Sequence, residues 1–247
     1  MRSLSPLRYP GGKSRAAEYL VTQIPSGVKV ASPFFGGGSV ELLLASNGVD
    51  VRGYDVFNPL VEFWQCLSTD PERLANEAAA HLPLSKVQFY ALQQTQSTGN
   101  SKYTRAAKFF VLNRASFSGS TLSGGMSPKH PRFNKSAIDR VRSFDVEGFS
   151  VSRKAFHLSI PENADRFLYL DPPYIIKSMI YGVKGSTHRG FDHVLLSQLL
   201  HSRTDWLLSY NDCPEVRNLY KGYRIETPTW KYGMSKKKES SEVLIYG

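Results

Sequence analysis

The sequence predicts an α/β fold with a mostly parallel sheet, an inserted helical segment and a C-terminal antiparallel hairpin. Short apolar runs, typical of buried strands, alternate along the chain with segments of helical periodicity. This alternation stops between about residues 60 and 148 and resumes afterwards. The 247 residues suffice for one large α/β domain or for a core domain with an insertion.

The first part of the chain predicts a βαβ unit that leads into the insertion. Its elements are a helix over 14–24, a strand from Val28 to Ser32, a helix from Gly38 to Asn47 and a strand from Val51 to Asp55. Residues 59–115 have helical patterns, clearest in Ala75–Ala80 and Arg105–Leu112. From Phe117 to Phe133 the chain is rich in Ser, Gly, Pro and Lys, which predicts a loop or hairpin.

The second part predicts the strands that complete the sheet. They are Phe149–Phe156, Phe167–Leu170 and Trp206–Tyr210, with a helix from His193 to Leu200, and then a hairpin of Tyr223–Trp230 and Glu242–Tyr246. We therefore expect one domain built from residues 1–58 and 149–247, and a mainly helical inserted domain over residues 59–148.

The charge of the chain favours a polyanionic partner. The net charge is +10 and the isoelectric point is about 9.6, which points first to nucleic acid. Between residues 100 and 154 only three acids oppose eleven basic residues: Lys102, Arg105, Lys108, Arg114, Lys129, Arg132, Lys135, Arg140, Arg142, Arg153 and Lys154. Two cysteines are too few for a disulfide framework or a zinc site, and no stretch has the length and apolar character of a membrane span. We expect a cytoplasmic protein without a metal site.

The tetrapeptide Asp171-Pro172-Pro173-Tyr174 follows the apolar run Phe167–Leu170 and lies at the carboxyl end of a predicted strand. Open α/β sheets bind their ligands at this edge. Proline cannot continue the strand ladder, so the backbone after Asp171 is stiff. The Asp171 carboxylate, the Pro172 carbonyl and the Tyr174 ring suit a flat ring with an exocyclic amino group. The alternative is an ordinary turn with a surface Asp and Tyr.

A glycine loop, Pro33-Phe34-Phe35-Gly36-Gly37-Gly38-Ser39, joins the first predicted strand to the next helix. A dinucleotide fingerprint starting at Gly36 would need glycine where the chain has Glu41, so the loop is a poor pyrophosphate site. Asp55 ends the second strand and could accept both hydroxyls of a ribose, or simply cap the following helix. A ribose-binding acid without a pyrophosphate loop suggests S-adenosylmethionine as the cofactor.

Four features occur in order along the chain: Ser5-Pro6-Leu7-Arg8-Tyr9-Pro10-Gly11-Gly12-Lys13, Pro33–Gly38, Asp55 and Asp171–Tyr174. In these features and in their order the chain resembles the Dam-type (class alpha) DNA adenine-N6 methyltransferases. Further similarity lies in Asn113-Arg114 with Phe117 and Gly119, in Phe191 and His193, and in Lys238–Leu244. The resemblance implies a Rossmann-like methyltransferase sheet with an inserted target-recognition domain, and transfer of a methyl group to N6 of an adenine flipped out of duplex DNA, as in restriction–modification.

The resemblance also implies roles for individual residues. Asp171, Pro172 and Tyr174 would be catalytic, with Asp171 and the Pro172 carbonyl accepting hydrogen bonds from adenine N6 and Tyr174 stacking on the base. The cofactor would be bound by Tyr9, Lys13, Phe34, Gly36, Gly38, Asp55, Phe156 and Asp171. Two residues depart from the family's pattern. Many members have an acidic residue where this chain has Ser32, and the family often has Asp where this chain has Ala155, just before Phe156. We therefore expect weaker cofactor binding than is typical.

The DNA contacts are expected in the basic region and in the segment after the tetrapeptide. Residues 113–135 are expected to read the sequence, and residues 175–190 to close over phosphates when DNA binds. The candidate residues are Arg114, Lys129, Arg132, Asn134, Lys135, Lys177 and Arg189. Much of Ser118–Pro131 does not resemble a GATC reader, so the target site stays open, as do the biological role and the existence of a partner nuclease.

Three alternatives remain open from the residues and the resemblance. They are an N4-cytosine methyltransferase, a non-catalytic DNA-binding protein on the same fold, and an enzyme that methylates RNA or a protein glutamine. Asp171 disfavours the first, because those enzymes usually have Ser there, and the third, because they commonly have Asn. Methylation at cytosine C5 needs an activated cysteine, which the enzymes of that class carry directly after a proline, in a Pro-Cys pair. Here Cys213 precedes its proline. We expect a monomer in solution, with dimerisation on DNA as an alternative.

Overall fold

The computed structural model describes residues 4–127, 132–175, 190–228 and 242–247. The strands are β1 (Val30–Ser32), β2 (Val51–Asp55), β3 (Phe149–Arg153), β4 (Phe167–Leu170), β5 (Trp206–Asn211), β6 (Arg224–Glu226) and β7 (Glu242–Tyr246). The helices are α1 (Ala17–Thr22), α2 (Ser39–Ser46), α3 (Asn58–Thr69), α4 (Pro71–Ala79), α5 (Lys86–Gln94), α6 (Lys102–Ala115), α7 (Lys135–Arg142), α8 (Phe156–Glu162), α9 (His193–His201) and α10 (Pro214–Leu219). A 3₁₀ turn covers Phe117–Gly119.

The described strands form one seven-stranded sheet in the order β3-β2-β1-β4-β5-β7-β6. Strands β3, β2, β1, β4 and β5 are parallel to their neighbours, and β7 is antiparallel to both β5 and β6. The predicted α/β fold, with its mostly parallel sheet and C-terminal antiparallel pair, is confirmed. Chain order reverses between β1 and β4, and ligands of open α/β sheets bind at such a switch point.

Hydrophobic residues cover both faces of the sheet. Val30 and Tyr169 belong to the cluster on one face, which contains α1 and α2, while their neighbours Ala31 and Leu168 belong to the cluster with α9 and α10 on the other. Alternate strand residues therefore bury opposite faces, as the pleat requires. Phe167–Leu170 is continuously apolar, and Trp206–Tyr210 is apolar except for the buried Ser209, because both faces of these strands are covered.

The helices of the insertion pack on one another and extend the first cluster. Phe63 of α3 stacks on Phe110 of α6 at a ring-centroid distance of 5.7 Å. Apolar residues of α4 and α7 are buried in the same cluster, and α3 also contacts β3. The helical character predicted for residues 59–115 corresponds to α3, α4, α5 and α6. The division into domains of residues 1–58 with 149–247 and of residues 59–148 stays a prediction.

Several predicted elements needed correction. The strand predicted over Phe149–Phe156 ends at Arg153, because its partner β2 ends at Asp55, opposite Arg153. The chain then turns, and Phe156 begins helix α8. The helix predicted over 14–24 is limited to Ala17–Thr22, and the strand predicted from Tyr223 pairs only over Arg224–Glu226 within the described part. Helices α7, α8 and α10 were not predicted.

Candidate active site

A cavity of about 510 Å³ opens at the carboxyl ends of β1, β2 and β4, within the range of about 300–1,000 Å³ typical of small-molecule sites. The sheet order brings these three strand ends together, although they are far apart in sequence. Every residue predicted to be catalytic or to bind the cofactor lines this cavity: Tyr9, Lys13, Phe34, Gly36, Gly38, Asp55, Phe156, Asp171, Pro172 and Tyr174.

The Asp171 carboxylate is held by a buried lysine. Lys13 Nζ lies 2.7 Å from Asp171 Oδ1 and 2.8 Å from Oδ2. The same ammonium donates to the Tyr174 hydroxyl at 2.8 Å and lies 3.4 Å from Glu242 Oε1 of β7. The Tyr174 hydroxyl in turn donates to Glu242. One cation therefore connects two carboxylates and a phenol and fixes the orientation of Asp171.

Burial controls the ionisation of this group. It raises the pKa of Asp171 above its ordinary value, while the charge and hydrogen bond of Lys13 act in the opposite direction. Burial also raises the pKa of Glu242, again opposed by Lys13. Burial and the two neighbouring carboxylates keep the pKa of Tyr174 well above its ordinary value, so its hydroxyl stays protonated and remains a donor.

The glycine loop takes its shape from the aromatic residues around it. A side chain at Gly37 would come within 2.6 Å of Tyr9 Cβ, so the loop and the N-terminal segment can touch only through glycine. On the other side the Phe35 ring packs flat against Gly53 of β2, where an added Cβ would lie 2.1 Å from the ring. Trp64 Nε1 donates to the Gly36 carbonyl at 3.0 Å and fixes the backbone of the loop.

Asp55 faces the cavity from the end of β2. Its Oδ2 accepts from the Gly36 N–H at 3.2 Å and its Oδ1 from the Phe57 N–H at 2.9 Å. Burial raises its pKa and these backbone donors lower it. Each carboxylate oxygen keeps further acceptor capacity for a ligand with two adjacent hydroxyls.

Three phenylalanine rings form an apolar wall beside Asp55. The Phe34 and Phe156 ring centroids are 5.7 Å apart, and Phe191 lies 5.6 Å from Phe34 and 5.0 Å from Phe156. Phe156 reaches this position because it starts α8 and does not continue β3. A flat heteroaromatic ring can stack against such a surface.

Comparison with known families matches residues 9–234 to the D12 class of N6 adenine-specific DNA methyltransferases. The chain belongs to this family. It is also 24% identical over 242 residues to the Type II methyltransferase M1.LlaDCHI of Lactococcus lactis subsp. cremoris, and the match covers 88% of this chain and 84% of the relative.

Membership of the D12 class confirms the predicted activity, an adenine-specific methyltransferase that acts on DNA. It therefore disfavours the alternatives of cytosine N4, RNA or protein glutamine as the target, and of a non-catalytic protein. Within the described ranges no helix is long and apolar enough to cross a membrane. In the same ranges no group of three His, Cys, Asp or Glu side chains is placed to hold a metal ion.

Four arginines of this D12 enzyme, Arg8, Arg114, Arg132 and Arg140, lie close together in or beside the N-terminal segment. Arg114 Nε donates to the Arg132 carbonyl at 3.1 Å and its Nη1 to the Pro6 carbonyl at 3.3 Å. Burial, together with the nearby charges of Arg140, Arg8 and Arg132, lowers the pKa of Arg114 to about 10. These four guanidinium groups are therefore close enough to affect one another and concentrate positive charge in this part of the molecule.

The other predicted DNA-binding residues have mixed outcomes. Lys135 is exposed at the start of α7, and the exposed Asn134 caps that helix by accepting from the Ala137 N–H at 3.0 Å. Lys129, Lys177 and Arg189 lie outside the described residues, as does most of the segment 175–190. The DNA-binding roles stay predictions.

Sequence reasoning gave no role to four residues that lie at the cavity, beside Lys13 or beside Arg114. Arg8 and Arg140 join the predicted Arg114 and Arg132, although neither was assigned to DNA. Glu242 closes the network around Lys13, and Glu41 lines the cavity. The sequence carried some signal for three of them: Arg8 and Glu242 lie in segments that resemble the family, and Glu41 is the single ionisable residue in the run Ser39–Ser46.

Proposed function

We propose that this enzyme transfers a methyl group from S-adenosylmethionine to N6 of an adenine that leaves the DNA helix and enters the cavity at Asp171. The observation that carries the proposal is the Lys13–Asp171 ion pair beside Pro172 and Tyr174, in the same cavity as Asp55 and the glycine loop.

The residues at one end of the cavity fit the cofactor. Asp55 accepts the two ribose hydroxyls, and the wall of Phe34, Phe156 and Phe191 stacks on the cofactor's adenine. Tyr9 and Gly36 also line the cavity and would contact the cofactor. When bound, S-adenosylmethionine supplies a methyl group on a sulfonium that is activated for displacement.

The residues at the other end prepare the target base. The lone pair of an aromatic amino group is delocalised into the ring, which makes the nitrogen a poor nucleophile. Asp171 and the Pro172 carbonyl each accept one N–H of this amino group and stabilise the positive charge that develops on it. Lys13 holds the Asp171 carboxylate in place and favours its ionised form. Much of the rate acceleration then comes from alignment of the two reactants.

Tyr174 provides the stacking surface for the flipped base. Its hydroxyl is bound by Lys13 and Glu242, and its ring lies 6.0 Å from the Tyr210 ring. The ring is therefore fixed before the base arrives. Stacking offsets part of the few kcal/mol that base flipping costs.

The arginine cluster of Arg8, Arg114, Arg132 and Arg140 supports duplex DNA as the substrate, because closely spaced guanidinium groups bind phosphates strongly. Phe117, two-thirds exposed, follows the same helix as Arg114 and offers an aromatic ring for contact with bases. By similarity to the lactococcal Type II methyltransferase we propose that the enzyme modifies a specific recognition sequence, as the partner of a restriction activity.

The test is to incubate the protein with unmethylated DNA and labelled S-adenosylmethionine, digest the DNA, and identify the methylated nucleoside. N6-methyladenosine is expected, and single-molecule sequencing of the product would give the recognition sequence. Asp171→Ala should abolish transfer while S-adenosylmethionine binding persists, and the control Cys213→Ser should change little. An active Asp171→Ala enzyme would contradict the proposed mechanism.

A further inference from the structure

One buried carboxylate at the cavity has no role in the mechanism above. Glu41 is the third residue of α2, lines the cavity and is only 3% exposed. Its Oε1 accepts a hydrogen bond from Ser32 Oγ at 2.7 Å. Ser32 is fully buried at the end of β1. An acid in the first turn of a helix can favour the helix dipole, but that effect does not require burial.

The charge of Glu41 is not balanced by a cation in the described part of the chain, where no ion pair to it is formed. Burial raises its pKa to about 7, although Ser32 and the backbone N–H groups of Val40 and Glu41 lower it. A buried carboxylate without a cation is costly, so a ligand that brings a cation would gain from this position.

A buried hydroxyl group, that of Tyr169, also belongs to this cavity. Tyr169 of β4 also lines the cavity and is 1% exposed, and its hydroxyl has no hydrogen-bond partner among the residues that the structure describes. Burial raises the pKa of Tyr169 well above its ordinary value, and the charges of Asp171, Glu41 and Glu242 raise it further, so the hydroxyl stays protonated. This part of the cavity therefore holds a carboxylate and a neutral hydroxyl, both available to an incoming donor.

The order of the strands indicates which part of the cofactor reaches Glu41. Asp55 ends β2 and Asp171 directly follows β4, while Ser32, which donates to Glu41, ends β1 between these two strands. With the ribose at Asp55 and the transferred methyl at Asp171, the remaining part of S-adenosylmethionine is its methionine chain. That chain ends in an ammonium group with three N–H donors.

We propose that Glu41 binds the α-ammonium group of S-adenosylmethionine, with Ser32 orienting the carboxylate and the Tyr169 hydroxyl as a second acceptor. The inference rests on the proposed function. It assigns Glu41 and Ser32 to the cofactor site, and it means that Ser32 need not weaken binding, because Glu41 supplies a carboxylate at the same strand end.

Calorimetric titration with S-adenosylmethionine, S-adenosylhomocysteine and the desamino analogue of S-adenosylhomocysteine tests this. The last two ligands differ only at the ammonium group, and neither carries a sulfonium. Glu41→Gln should weaken S-adenosylhomocysteine binding tenfold or more. The same variant should bind the desamino analogue within about threefold of the wild type, because the contact it lost is absent from that ligand. Glu147→Gln, which removes an exposed acid away from the cavity, is the control and should leave both affinities unchanged.

Equal losses for both ligands would overturn the inference, because Glu41 would then act by shaping the site. Unchanged affinities would also overturn it, and so would a loss confined to S-adenosylmethionine, which would assign Glu41 to the sulfonium. If the wild-type protein bound neither S-adenosylmethionine nor S-adenosylhomocysteine, the proposed function would fail and this inference with it. The first three outcomes leave the proposed function intact.

Discussion

Replacing Glu41 by Gln should stabilise the ligand-free protein at alkaline pH, although it should weaken cofactor binding. Glutamine has nearly the same size and can still accept the hydrogen bond from Ser32 Oγ. It has no charge to bury. A site arranged for a ligand often stabilises the free protein less well than a neutral alternative.

The magnitude follows from the pKa of Glu41, which rises from 4.5 in the unfolded chain to about 7 in the folded protein. The folded state holds the proton more tightly, so its stability is highest below pH 4.5 and falls as the pH rises through about 7. A difference of this size corresponds to about 3 kcal/mol of unfolding free energy. The wild type should lose this amount between acidic and alkaline pH, and Glu41→Gln should not.

Urea unfolding of both proteins at several pH values between 5 and 8.5, without ligand, measures the difference. The gap between variant and wild type should grow with pH and level off above about pH 8. Asp171 and Glu242 also have raised pKa values and are present in both proteins. Asp171 and Glu41 repel each other, so removal of the Glu41 charge also favours the ionised form of Asp171 and adds to the gap in the same direction. A Glu41→Gln protein that is less stable than the wild type at pH 8 would refute the reasoning.

Three further predictions concern the catalytic, cofactor and DNA sites. Lys13→Met should move the acidic limb of the rate profile to higher pH, because Lys13 lowers the pKa of Asp171; a uniform loss at every pH would contradict this. Asp55→Asn should weaken S-adenosylmethionine binding by about tenfold or more in calorimetry, since charged hydrogen bonds to the ribose are lost; an unchanged dissociation constant would count against the ribose assignment. Arg114→Ala should weaken DNA binding equally for all sequences. It should also reduce the slope of the logarithm of the binding constant against the logarithm of the salt concentration by about one, as expected for the loss of one phosphate contact; an unchanged slope would exclude a phosphate role.

The sequence predicted the strands that form the site because their composition is unambiguous. Strand β4 is a continuous apolar run that is followed directly by Asp171 and Pro172. Strand β2 ends at Asp55, and Pro59 soon after it marks the first turn of helix α3. Strong local signals of this kind do not depend on distant contacts. Helix α8 was missed because its seven residues include Pro161, which argues against a helix in any local pattern.

The parts of the site that sequence reasoning missed depend on contacts between distant residues. Lys13 was expected at the cofactor, but its pairing with Asp171 joins positions 158 residues apart and has no local signal. The arginine cluster likewise combines Arg8 from the N-terminal segment with Arg114 from α6. The side chain of Asn113 makes this connection, donating to the Arg8 carbonyl at 2.7 Å and accepting from its N–H at 2.9 Å.

The contact of the Phe35 ring with Gly53 makes the enzyme vulnerable at a position with no chemistry of its own. Gly53 does not line the cavity, yet a methyl group there would push the Phe35 ring away, and Phe35 is joined directly to Gly36 of the glycine loop. In a genetic screen for lost methylation, Gly53→Ala should therefore behave like a change in the loop itself. Its defect should be reduced cofactor affinity, and a search limited to polar or cavity-lining positions would overlook it.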